Sequence, residues 1–69
     1  MSVKSAENTK RKVLETAEVE FSEKGLYGSR VDSIAERSGV NKKQIYEYFG
    51  KKEELYMRVL SEVYNRPNK

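Results

Sequence analysis

Residues 31–50 read VDSIAERSGVNKKQIYEYFG, and the spacing within this run decides the fold. With Val31 as the first position, Ile34 is the fourth, Ala35 the fifth, Gly39 the ninth, Val40 the tenth and Ile45 the fifteenth. A helix-turn-helix lays its second helix steeply across its first. It therefore needs a small side chain where the backbones approach, a glycine at the turn and branched apolar residues to lock the angle. Ala35, Gly39 and Ile45 meet those needs. Val31, Ile34 and Ala35 make the apolar stripe of a short helix over about residues 30–38. Ser29 and Asp32 form the S-x-x-D pattern of a capping box, so the Ser29 hydroxyl is expected to accept from the Asp32 N–H. Gly39 tolerates the left-handed backbone that ends the helix. Asn41 offers a new N-cap, and Ile45 and Phe49 give a third helix, over about 42–49, its inward face before Gly50 closes it.

Outward from this run, residues 5–24 contain no glycine or proline, and Leu14, Ala17 and Phe21 recur on one helical face with Val13 beside them. A first helix is expected there, stopped by Gly25, with Glu7–Arg11 and Glu20–Lys24 as i,i+4 pairs on its wet side. The last helix is expected over about 52–65, with Glu53 and Glu54 near the positive end of its dipole and Pro67 forbidding continuation. Lys51 precedes it where a small capping residue is usual. Leu55, Tyr56, Val59, Leu60 and Val63 span a wider apolar face than three short helices can cover. The sum is an all-α chain, a small four-helix bundle with a helix-turn-helix.

Composition narrows the chemistry. The chain has 69 residues with no cysteine, histidine or tryptophan, so the usual zinc sites, thiol nucleophiles and imidazole acid/base pairs cannot be built from it. Its carboxylates are spread over helix surfaces without a converging acid and base, so no enzyme, metal or cofactor is expected. A chain of this length hides only about 60% of its unfolded surface, which leaves little room for a deep pocket. No apolar stretch approaches the ~20 residues of a membrane span, and no secretory segment opens the chain, so a soluble intracellular protein is expected.

The charge is unevenly placed. Residues 1–28 balance five cations (Lys4, Lys10, Arg11, Lys12, Lys24) against five anions (Glu7, Glu15, Glu18, Glu20, Glu23), and residues 53–69 balance three against three. The whole excess of +3 falls in residues 29–52, where Arg30, Arg37, Lys42, Lys43, Lys51 and Lys52 face only Asp32, Glu36 and Glu47. A basic patch that coincides with a helix-turn-helix points to a polyanion, and duplex DNA is the polyanion such a motif fits.

Residues 13–60, VLETAEVEFSEKGLYGSRVDSIAERSGVNKKQIYEYFGKKEELYMRVL, resemble the N-terminal DNA-binding domain of the tetracycline-repressor (TetR) family of bacterial transcriptional regulators. The most specific part is IAERSGVNKKQIYEYFGKKEEL, with I-A, G-V, an aromatic pair around the third helix, F, then K-E-E-L. The resemblance implies a homeodomain-like domain that binds operator DNA, one half-site per monomer. Family members are typically homodimers whose larger C-terminal domain dimerises and binds a small-molecule inducer. No such domain follows Lys69, so the chain is expected to be a piece of a longer regulator or an orphan module, monomeric or weakly associated, and bound to inducer only in a full-length form. A bacterial cytoplasmic, nucleoid-associated repressor is the expected role.

Residue by residue, the resemblance implies base-edge contacts from Lys42, Lys43 and Gln44, with Gln44 matching adenine as the preferred reader. Tyr46 and Tyr48 are expected at the DNA backbone or thymine methyls, although Tyr48 could instead be half-buried against the fourth helix. Lys52, Ser29 and Arg30 are expected beside phosphates, where they position rather than read. Departures from the family pattern fall at Lys43, often a small residue, at Lys51, and at Glu47, which could pair with Lys43 or Lys51 or accept from cytosine N4. The alternative reading is a helical protein-interaction module that grips a partner through Leu55, Tyr56, Val59, Leu60 and Val63.

Overall fold

A helix broken by one glycine forms the spine of the molecule. The computed structural model describes residues 2–66, with side-chain surroundings from residue 6 onward, and Pro67 lies outside the described residues. Among the described residues there are four helices: α1 (Ser2–Gly28), α2 (Val31–Ser38), α3 (Lys42–Phe49) and α4 (Lys52–Tyr64). Helix α1 thus runs beyond the expected span at both ends. Gly25 does leave helical geometry (φ 73°, ψ 174°), a conformation open to glycine because it lacks a Cβ. The chain then takes one further turn instead of stopping. That turn tucks Leu26 against the core and leaves Tyr27 93% exposed.

Every helix contributes to a single small core. Val13, Ala17 and Phe21 come from α1, Val31 and Ile34 from α2, Val40 from the turn, Ile45 from α3, and Leu55 and Val59 from α4. Leu14, Leu26, Ala35, Phe49 and Tyr56 close it at the edges. The Phe21 and Tyr56 rings meet edge to face at 5.0 Å and 88°, fastening α1 to α4 in a geometry that aromatic quadrupoles favour. At the far end, the Arg66 guanidinium grips both oxygens of Glu18, at 2.9 and 3.4 Å.

Three expectations from sequence are corrected. Ser29 does not cap α2: Arg30 is the N-cap residue and no side chain caps it, while the buried Ser29 hydroxyl donates to the Gly25 carbonyl at 2.5 Å and the Glu20 carbonyl at 3.2 Å. The extra turn after Gly25 rotates the hydroxyl inward, so it cannot reach the Asp32 N–H. Glu20 is not on the wet side of α1 but fully buried. On α4, Leu55 and Val59 are core residues, Tyr56 and Leu60 are half-buried, and only Val63 of the expected apolar surface is exposed, beside Met57 and Tyr64.

The helix-turn-helix is built as its spacing predicts. Gly39 ends α2 with its N–H on the Ala35 carbonyl at 2.9 Å. Asn41 caps α3, its side-chain oxygen accepting from the Lys43 N–H at 2.7 Å. Gly50 ends α3 at φ 90°, its N–H on Tyr46 O at 2.8 Å. The Lys51 side chain gives α4 no cap, yet half of a capping box is supplied from within, because the Glu54 carboxylate accepts from the Lys51 N–H at 2.7 Å. No helix among the described residues is long and apolar enough to cross a membrane.

Candidate nucleic-acid interface

Ile45 orients α3. Its side chain is fully buried, and at about 3.6 residues per turn Lys43 and Glu47 stand nearly opposite it, Tyr46 and Gln44 on its two flanks, and Lys42 nearer the buried side. All five are exposed, Tyr46 at 42%. The amino-terminal half of a capped helix therefore exposes two lysines, a glutamine and a phenol around its outer side. Phe49 and Tyr48, on either side of Ile45, are half-buried.

The polar contacts decide how free each group is. Gln44 Nε2 donates to Tyr48 Oη at 3.3 Å, which holds the amide at the surface and leaves it a second N–H. Tyr48 is half-buried, as one of the two sequence readings had it, but its ring lies under the Lys10 ammonium of α1, 5.3 Å from the centroid, as well as against Phe49 of its own helix. Among the described residues neither Lys43 nor Lys51 forms an ion pair with Glu47. The Glu47 carboxylate stands exposed on the outer face of α3.

Lys42 is engaged. Its ammonium lies 2.6 Å from Asp32 in the first turn of α2, an ion pair that crosses the turn of the motif. The hydrogen bond from Lys42, and then its charge, hold the Asp32 carboxyl below the usual carboxylate range, and the same hydrogen bond raises the Lys42 ammonium above its ordinary value. Both side chains remain open to water, 49% for Lys42 and 60% for Asp32.

The flanking residues divide by role. Arg30 is exposed at the start of α2. Lys52 is half-buried, and its ammonium donates to the Ser29 carbonyl at 2.9 Å, tying the start of α4 to the start of α2. Ser29 thus enters the surface through its carbonyl, its hydroxyl being spent inside. A shallow groove lined by Tyr46, Gly50, Lys51, Lys52, Glu53 and Glu54 joins the outer edge of α3 to the first turn of α4.

Between α1 and α2 lies a polar knot that the sequence reading missed. The Glu20 carboxylate, with no exposed area, accepts from Arg37 Nη1 at 2.8 Å, Ser33 Oγ at 3.0 Å and the Arg30 backbone N–H at 3.4 Å, with Lys24 Nζ also at 3.4 Å. Burial opposes its charge, but the hydrogen bonds from Arg37, Ser33, Arg30 and Lys24 outweigh that and hold its carboxyl below the usual range. A signal was present: Glu20 stands seven residues after Val13 and three after Ala17, on the face that α1 buries. Among the described residues no three His, Cys, Asp or Glu side chains gather as a metal site would require.

Comparison with known proteins agrees with this architecture. Residues 13–59 match the family described as "Bacterial regulatory proteins, tetR family". The HTH-type transcriptional repressor SCO4008 of Streptomyces coelicolor is 42% identical over 60 residues, covering 87% of this chain and 31% of that protein. The HTH-type transcriptional repressor NicS of Pseudomonas putida is 37% identical over 59 residues, 86% of this chain and 28% of the relative. The HTH-type transcriptional regulator RutR of Escherichia coli is 41% identical over 54 residues, 78% of this chain and 26% of the relative. The chain therefore spans less than one third of the length of these curated relatives.

Proposed function

The chain belongs to the TetR family of bacterial regulatory proteins, and from that premise we propose that it binds operator DNA as the reading head of a cytoplasmic, nucleoid-associated transcriptional repressor. The observation that carries this reading is the outward face of α3, where Lys43, Gln44 and Tyr46 stand exposed around a helix anchored by Ile45. A capped helix of eight residues fits the major groove, and its first turn is the part that meets base edges. Gln44, steadied by Tyr48, keeps an acceptor and one N–H for adenine N6 and N7, and Lys43 can donate to guanine O6 and N7. Tyr46 faces the groove toward Lys51 and Lys52, where its hydroxyl suits a phosphate and its ring a sugar or thymine methyl.

Around this centre the roles are positional. Arg30 and Lys52 come together where the start of α4 is tied to the start of α2 and suit neighbouring phosphates of one strand, Ser29 fixes Lys52 through its carbonyl, and Tyr48 braces Gln44. Lys42 joins the surface when it leaves Asp32. Glu47, on the outermost line of α3, suits a cytosine N4 and opposes a phosphate. The reading is of binding, not catalysis.

Repression follows from occlusion of a promoter. Two such domains held about 34–36 Å apart would engage successive major grooves, so a homodimer and a response to a small-molecule inducer belong to a full-length protein. Met57 midway along α4 and Val63 and Tyr64 in its last turn are exposed, and they offer a surface on which such a longer chain would pack. A single domain engages one half-site weakly.

Fluorescence anisotropy with a labelled duplex tests the reading. Three to five phosphate contacts predict a slope of log affinity against log salt of about −3 to −4.5. Changing Lys43 and Gln44 together to alanine should erase sequence preference, scored by selection from a randomised duplex pool, while leaving the helical circular dichroism intact. A flat salt profile would reject the phosphate contacts, and unchanged preference in that double variant would reject α3 as the reading helix.

A further inference from the structure

Lys42 opens α3, yet its ammonium is turned back across the motif onto Asp32, at 2.6 Å. We propose that Asp32 is a specificity-determining residue of the DNA-facing surface: it occupies the Lys42 ammonium and so withholds one cation from the phosphates of arbitrary duplex DNA. The inference rests on the DNA-binding reading above and adds to it a residue that contacts no base.

The geometry supplies each part of the argument. Asp32 lies in the first turn of α2 and Lys42 is the first residue of α3, so the pair bridges the two elements that a duplex must touch together. Asp32 is also within the field of Arg30, the exposed cation that opens α2. The carboxylate thus sits among the cations of the patch, where it repels an approaching phosphate and competes with it for Lys42. Buried, such a pair would be a fixed strut. With 49% and 60% of the side chains exposed, it is an exchangeable contact of the kind that contributes little to stability.

Exchange gives discrimination. A loosely held, non-cognate duplex offers Lys42 only a hydrated phosphate at no fixed place, which is a poor substitute for a carboxylate already at 2.6 Å. A duplex whose bases seat α3 brings one phosphate to a fixed position and can displace Asp32. The repulsive element therefore falls on wrong sequences more than on the right one, which is how specificity is obtained without a further base contact. Asp32 is a positioning residue in this scheme, since it acts through Lys42.

The test uses this chain and a fluorescein-labelled duplex of mixed sequence, titrated by anisotropy from low to moderate salt. Asp32→Asn should tighten binding and steepen the salt slope by about 0.9, the increment for one more neutralised phosphate. Lys42→Ala alone should change the slope by much less than about 0.9, because that ammonium rests on Asp32 and not on a phosphate, and the double variant should lose the gain that Asp32→Asn produced. Asp32→Glu, which keeps the carboxylate, should behave as the parent. Circular dichroism of each variant excludes unfolding as the cause. The proposal is overturned if Lys42→Ala by itself flattens the slope by about one unit, because Lys42 would then already rest on a phosphate. It is equally overturned if Asp32→Asn tightens binding as much without Lys42 as with it, since that is mere removal of negative charge. Failure of the parent chain to bind the duplex at any salt would bring down the DNA-binding reading itself, and that result is distinct from both.

Discussion

Two carboxylates meet their cations on either side of the start of α2, in opposite surroundings. Glu20 has no exposed area and gathers donors from Arg37, Ser33, Arg30 and Lys24, whereas Asp32 is 60% exposed and holds Lys42 alone. The chemistry of the pairs is the same. What differs is the number of donors and the access of water, and these decide whether a carboxylate fixes backbone or can be exchanged for a phosphate. Glu20 ties the N–H at the start of α2 and the side chains of its first and second turns to α1, so it sets the angle at which the motif leaves the spine. Asp32 sets only where one ammonium rests.

The sharpest way to break this contrast is Glu20→Ala. It leaves the Arg30 N–H and the Ser33 hydroxyl without their acceptor inside the fold, while Arg37 and Lys24, both partly exposed, can turn to water. The expected loss is about 2–3 kcal/mol, read from urea unfolding. A chain of this length has about 3–10 kcal/mol in all, so a loss of this size is a large share of it and should move the urea midpoint well down. A loss under about 0.5 kcal/mol would mean that the knot is ornamental.

A third carboxylate lies between the two extremes. Glu54 is exposed, yet it caps the Lys51 N–H, and it can do so because Gly50 has no Cβ: one built there would collide with the Glu54 carboxylate. Gly50 also stands at φ 90°, where a side chain is strained. Gly50→Ala should therefore cost about 1–3 kcal/mol in the same unfolding experiment, with the damage at the α3–α4 corner. Gly50→Asn should cost as much, because φ 90° with ψ −152° lies outside the left-handed helical region that asparagine tolerates.

Acid separates Glu20 from Asp32 by another route. The Glu20 carboxyl titrates below its ordinary 4.5 in the folded state, so its contribution is complete above that value and disappears as pH falls through the folded value. Stability should decline over that interval, and Glu20→Gln should flatten the decline. The Asp32 carboxyl is also lowered, from 3.8, so its share begins to be lost only below that value. Asp32→Asn should leave the upper part of the acid limb unchanged. Stability followed by circular dichroism in urea at a series of pH values makes the comparison.

What could be read in the sequence, and what could not, follows the same division between local and tertiary causes. Ala35, Gly39, Asn41 and Ile45 act within a few residues of themselves, so their spacing was enough to place the turn, the cap and the buried side of α3. Leu55 and Val59 were recognised as apolar, but their burial depends on α1 lying across them, which no local period reveals. Ser29 misled because a serine before an aspartate at capping distance is a sound local pattern, overridden here by the turn after Gly25. Glu20 was legible in part: it falls on the buried face of α1, and its charge concealed that. The Asp32–Lys42 pair was not legible, since i,i+10 neighbours meet only once the motif has folded.

The smallest effect is the one on which the contrast finally depends. Asp32→Asn should leave the urea midpoint nearly where it is, because an exposed pair exchanges its partner for water at little cost. A slight loss is expected even so, since a carboxylate in the first turn of α2 also interacts favourably with the positive end of that helix, and asparagine does not. Salt separates these contributions from a structural one: screening weakens both, so the difference between parent and variant should shrink as salt is raised. If the midpoint instead falls as far as it does for Glu20→Ala, and stays there at high salt, the pair is a strut that holds α3 to α2. Lys42 could then not be lent to a phosphate without loosening the motif that presents it, and the two carboxylates would be alike after all.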